Sequence, residues 1–122
     1  MLFALLVNVL VGCCFEVQKP SGEIIRDSYG IPHIFSPTLE GAFFYAGYAI
    51  AEDRLWQMEL ARRSAKGRLS EILGRGALAS DRDAIRFGYT EEEYEAIFRS
   101  LDSRAQKALE NYVRGINQRI QE

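Results

Sequence analysis

Residues 24–74 read IIRDSYGIPHIFSPTLEGAFFYAGYAIAEDRLWQMELARRSAKGRLSEILG, and the breaks in that stretch decide the fold. Two short apolar-rich runs, Glu23 to Asp27 and Ile31 to Phe35, flank Ser28-Tyr29-Gly30, which is the pattern of a β-hairpin with a glycine-containing turn. Pro32 has no amide hydrogen to give to a ladder, so the second strand is expected to meet a neighbour on one side only. Ser36-Pro37 then reads as a helix start, with Ser36 as N-cap and proline in the first turn. The helix is expected to run to about Lys66 and to stop at Gly67. Its apolar stripe is Leu39, Phe43, Ala46, Ile50, Leu55, Met58 and Ala61. Ala42, Gly47, Ala49 and Ala51 keep the first half thin, so neighbours can approach it closely from several sides and its expected place is central.

Downstream, Arg68 to Leu73 predicts a short helical turn closed by Gly74, and Leu78 to Phe87 fits either a loop or a short helix. Thr90 with Glu93 forms a capping box, in which the threonine hydroxyl and the glutamate carboxylate satisfy each other's backbone amides, and predicts a helix to about Ser100. Asp102 caps a last helix whose Ala105, Ala108, Leu109, Tyr112, Val113, Ile116 and Ile120 share one face. Upstream, Val17 to Gly22 is a polar linker, and Met1 to Phe15 is apolar apart from Asn8. The apolar run is short for a membrane span and suits a signal h-region, which makes residues 1–16 a leader and 17–122 an incomplete folded segment. Leu10-Val11-Gly12-Cys13 has the form of a lipobox, with Cys13 as the lipidated residue. No Lys or Arg precedes the run, so an upstream start, a truncated coding sequence and a buried strand are competing readings. The expected localisation is exported, periplasmic or extracellular, with a lipid anchor if Cys13 is modified, and cytoplasmic if the run is no signal.

Composition narrows the function. The chain has 122 residues, 48% hydrophobic and 26% charged, which suits one small globular domain. A net charge of -2 gives no general attraction to nucleic acid or acidic lipid. The arginine-rich run of Arg54, Arg62, Arg63, Lys66, Arg68 and Arg75 is interrupted by acids, which argues against a nucleic-acid surface. His33 is the single histidine, lies between apolar neighbours, and reads as a partly buried residue fixing its strand rather than the base of a triad. There is no G-x-S-x-G elbow, and Cys13 and Cys14 lie inside the apolar run, a poor setting for a thiolate. Glu52 and Asp53 are neighbours whose side chains diverge by about 100° on a helix. The Glu91-Glu92-Glu93 run follows the charge preference of a helix N-terminus. Glu59 is spaced to pair with Arg62 and Arg63, which reads as a structural network, although one of these arginines could instead meet a substrate carboxylate.

Several blocks resemble the start of the α-subunit in the penicillin amidase (penicillin acylase) family of N-terminal-nucleophile hydrolases. They are Arg26-Asp27 with Tyr29 to Ile34, Phe44 to Ala49, Ala51 to Glu59 with Arg62-Arg63, and then Gly67, Ser70-Glu71, Leu73-Gly74 and Asp81. Weaker similarity through Tyr112 and Gly115-Ile116-Asn117 carries it over Glu23 to Glu122. The resemblance implies an α+β fold, mostly α in this segment: a β-hairpin, a long helix and further helices, forming part of an αββα sandwich. It implies a zymogen that cuts itself into α and β chains. The new β N-terminus would attack the amide of an N-acyl compound, such as a penicillin or cephalosporin side chain or an acyl-homoserine lactone. The nucleophile is then expected past Glu122, as are the acyl-pocket side chains, and this chain alone is expected to be inactive. No catalytic, substrate-binding or metal residue and no cofactor is assigned here, while the complete enzyme is expected to bind calcium by resemblance. The implied partners are the β chain of the same precursor and a small N-acyl substrate, with a membrane only through the possible anchor at Cys13. A non-catalytic helical module that binds a partner chain is the competing reading.

Overall fold

A computed structural model describes residues 19–122. The leader readings, including the lipobox at Cys13, lie outside the described residues. Strands β1 (Glu23–Arg26) and β2 (Pro32–Phe35) form an antiparallel pair, with Ile24 opposite Ile34 and Arg26 opposite Pro32. Helices α1 (Leu39–Ala65), α2 (Ser70–Leu73), α3 (Leu78–Phe87), α4 (Glu91–Ser100) and α5 (Ser103–Gln121) follow, with a 3₁₀ turn over Gly74–Ala77. The segment is therefore α+β and mostly helical, as its resemblance implied. The undecided stretch Leu78 to Phe87 is a helix.

The chain divides into two compact units. One holds the described residues up to Asp53 together with Glu95–Glu122, and the other holds Arg54–Tyr94. Arg54 itself leaves helical geometry within α1, at φ -137° and ψ 26°.

In the first unit the core forms where α1 meets α5. Phe44 is completely buried, and Ala49, Ala51 and Ile116 are nearly so. Two glycines set the distance between these helices. A Cβ at Gly47 would lie 2.0 Å from the carbonyl oxygen of Tyr112, and one at Gly115 would lie 1.8 Å from that of Phe44. The backbones thus touch where side chains would otherwise stand. This agrees with the expectation of a thin, closely approached helix but corrects the stripe read from apolar spacing. Leu39, Phe43 and Leu55 are exposed, and the buried set in α1 is Gly41, Phe44, Gly47, Ala49 and Ala51. Contact between backbones selects small residues, which a count of large apolar side chains passes over.

The helix ends follow local chemistry. Thr38, rather than the expected Ser36, caps α1: its Oγ1 accepts from the amide of Gly41 at 3.1 Å. Ser36 Oγ instead donates to the carbonyl of Ser21 at 3.0 Å, tying the hairpin's approach segment to its exit. At the far end Gly67 takes φ +62°, the Arg68 amide reaches back to Arg63 O at 2.8 Å, and the Gly67 amide reaches Ser64 O at 3.2 Å. These are the paired bonds of a Schellman stop, which needs the left-handed residue that glycine supplies. Thr90 and Glu93 make both bonds of their capping box, at 2.8 and 3.3 Å. Asp102 accepts from the amides of Arg104 and Ala105, both at 2.9 Å.

Candidate functional site

The hairpin turn is organised by Asp27. One carboxylate oxygen accepts from the amides of Tyr29 and Ile31 at 2.9 Å, and the other stands 3.2 Å from His33 Nε2. The Ile31 amide, followed by His33, holds the Asp27 carboxyl below its usual range. His33 is about half exposed, which corrects the reading of a partly buried residue. Its ring lies on the outer face of β2, in register with Ile25, and Asp27 is its partner.

Arg26 gathers the next group. Its guanidinium donates to Glu52 at 2.7 Å, to both oxygens of Asp53 at 2.8 and 3.2 Å, and to the Gly30 carbonyl at 2.7 Å. Glu52 and Asp53 do not act apart, as their helical angle suggested, because one planar fork reaches both. Arg119 of α5 stands 3.8 Å from Glu52. The hairpin, α1 and α5 are thus joined by charge as well as by packing. Lys19 and Tyr48 also meet at Glu122, Lys19 at 2.7 Å and Tyr48 through its hydroxyl. The Lys19 ammonium, then the Tyr48 hydroxyl, hold the Glu122 carboxyl down to about 2.

The second unit has its own network. Glu59 accepts from Arg62 at 2.7 and 2.8 Å and from Arg63 at 2.6 Å, which is the pairing expected from the spacing. The Arg62 hydrogen bonds outweigh partial burial and hold Glu59 at about 2. Arg63 also bonds Glu71, which accepts from Arg68 at 2.7 and 3.1 Å. Lys66 stands 3.5 Å from Glu91. Arg62, Arg63, Lys66 and Arg68 of the basic run are therefore engaged within the chain.

Asp81 was missed as a structural residue. It is only 4% exposed, and its two oxygens accept from the amides of Leu69 and Ser70, each at 2.8 Å. Burial alone would raise its carboxyl, but Ser70 and the Leu69 amide outweigh that and hold it low. It caps α2 from twelve residues away, a contact that no local spacing rule announces.

None of these groups is a catalytic constellation: each charge has a structural partner, and no nucleophile stands beside a base. The described residues also contain no group of three or more His, Cys, Asp or Glu placed to hold a metal ion. What these groups do is hold the segment together. The sequence profile of the penicillin amidase family matches residues 21–122. This chain belongs to the penicillin amidase family. Over 102 residues it is 38% identical to the penicillin G acylase of Escherichia coli, an alignment covering 84% of this chain and 12% of that protein. It is 40% identical over 94 residues to the acyl-homoserine lactone acylase QuiP of Pseudomonas aeruginosa, covering 77% of this chain and 11% of that one. The solved structure of a thermostable penicillin G acylase from Alcaligenes faecalis superposes with a TM-score of 0.72 at 32% identity, over 83% of this chain and 53% of its own. This penicillin amidase segment thus spans about one-eighth of the length of the curated relatives it matches. No helix among the described residues is long and apolar enough to cross a membrane.

Proposed function

We propose that this chain is the N-terminal scaffold of an N-acyl amidohydrolase whose nucleophile lies on a second chain of the same precursor. The observation that carries the reading is the unbroken family match over residues 21–122 to proteins named as acylases. A further relative, from Pseudomonas sp. strain SE83, is named a proenzyme and is 41% identical over 92 residues. In the proposed reaction the freed N-terminal hydroxyl or thiol of the β chain adds to the amide carbonyl. Its own α-amine takes the proton and passes it to the leaving amine. An acyl-enzyme remains, and water then releases the acid. This chain contributes position rather than chemistry: its hairpin, α1 up to Asp53 and α5 belong to one compact unit on which the rest is built. Calcium, implied for the complete enzyme by the family, is assigned to no residue here. Residues 1–16 are proposed as an export signal, with a lipid anchor if Cys13 is modified, and mass spectrometry of the mature N-terminus tests both.

The precursor reading is tested by expressing the complete reading frame and taking the masses of its products. Two chains, with a Ser, Thr or Cys at the new N-terminus, are expected. Conversion stops when that residue is replaced by Ala. A single uncut chain, or a frame without such a junction, overturns the reading and leaves the partner-binding module.

A further inference from the structure

Most basic residues of this chain are withheld from a cutting enzyme, and one is not. Those of α3, α4 and α5, with Arg62 and Arg63 of α1, lie inside helices, whose coiled backbone does not enter an endopeptidase cleft. Arg26 lies in β1, its guanidinium bonded to Glu52 and Asp53. Lys66 and Arg68, past the end of α1, stand against Glu91 and Glu71. Lys19 precedes Pro20, and a bond to a proline nitrogen is a poor substrate because the ring fixes the backbone. Arg54 leaves helical geometry, but α1 continues on both sides of it.

Arg75 differs on every count. It lies in the 3₁₀ turn Gly74–Ala77 between α2 and α3, exposed and with no ion-pair partner among the described residues. A glycine stands on each side of it, Gly74 at φ +73°, and a Cβ at either would meet nothing within 4 Å. A cleft can therefore close around this backbone without collision. The Arg75 carbonyl accepts from the amide of Leu78, a bond of the weaker 3₁₀ kind. Ala77 is the turn's buried residue and is small, so opening the turn exposes little apolar surface. Exposed tips built of small residues are the preferred places of nicking.

We propose that Arg75–Gly76 is a cut-in-place site for an arginine-specific endopeptidase, separate from the junction proposed past Glu122. Water adds across this one amide, leaving a carboxylate on Arg75 and an amine on Gly76. The two pieces then stay joined. Asp81, after the cut, holds the amides of Leu69 and Ser70, before it. α1, before the cut, and α5, after it, touch at Gly47 and Gly115. The site does not depend on the hydrolase reading.

Brief trypsin digestion of the complete expressed product tests this, read by mass spectrometry and by size exclusion without denaturant. The first new N-terminus is expected to be Gly76, with both pieces eluting together at the uncut size. Arg75→Gln should slow the first cut at least ~100-fold, because the enzyme's charged pocket is left unfilled, while Arg75→Lys should leave it nearly as fast. Both variants are expected to melt at the wild-type temperature, so that slower cutting is not greater stability. A first cut after Arg54 or any other basic residue overturns the proposal, as does a first cut that is equally fast in Arg75→Gln. Pieces that part on size exclusion also overturn it. So does a complete product that resists trypsin while the 122-residue chain is cut at Arg75, which would assign the cover of this turn to the rest of the precursor.

Discussion

Where α1 meets α5 the two backbones touch at Gly47 and Gly115, and there is no space for a methyl group. Residues 54–94 are held differently: a buried aspartate caps α2, and two glutamates bridge three arginines on a partly exposed surface. At the glycine crossing itself the first region is shaped by steric exclusion, which neither salt nor pH alters, while the Arg26–Glu52 and Lys19–Glu122 pairs around it are ionic. The second depends on ionised carboxylates and should respond to both. The contrast shows that neighbouring parts of one small chain are held by different forces: a glycine at the crossing and an arginine in the ionic network hold structure for unrelated reasons.

Substitutions can break that comparison, and the largest effect is expected at the crossing. Gly115→Ala places a Cβ 1.8 Å from the Phe44 carbonyl oxygen, so the helices must separate, at a cost of about 3 kcal/mol or more. Denaturant unfolding of the complete product measures it, and a change below about 1 kcal/mol would mean the crossing is loose. Gly67→Ala should come next, at about 2 kcal/mol, because it combines φ +62° with a Cβ 2.5 Å from Ile85.

Glu59→Gln tests the ionic region, with an expected loss of about 1 kcal/mol once solvent screening is allowed for. The sign with pH follows from the depressed carboxyl. Its pKa is about 2 when folded against 4.5 for a free glutamate, so its stabilisation is complete above about pH 4.5 and disappears as pH falls toward 2. Wild type and Glu59→Gln should therefore differ in melting temperature at neutral pH and converge near pH 2. A gap that persists in acid would assign the effect to packing. The smallest pair sharpens the role of backbone conformation alone. Gly30→Ala should cost about 1 kcal/mol for its φ of +79° in open space, and Gly76→Ala, equally open but without a positive φ, should change almost nothing.

Much of the hairpin and the helix boundaries could be read locally. The turn at Gly30, the stop at Gly67, the capping box at Thr90, the cap at Asp102 and the pairing of Glu59 all involve partners within a few residues. The misreadings involve partners far along the chain. Ser36 was drawn from capping by Ser21, Arg26 drew Glu52 and Asp53 together, and α5 selected glycine and alanine over the larger apolar residues of α1. Asp81 appeared only as one residue of a family block, since its work is done on amides of residues 69 and 70.

The most direct test of the scaffold claim is hydrolysis of a chromogenic N-phenylacetyl anilide by the 122-residue chain and by the complete reading frame in parallel. The account predicts amide cleavage by the longer product alone. Cleavage by the short chain would contradict it, because a nucleophile would then have to lie among residues assigned here to structure.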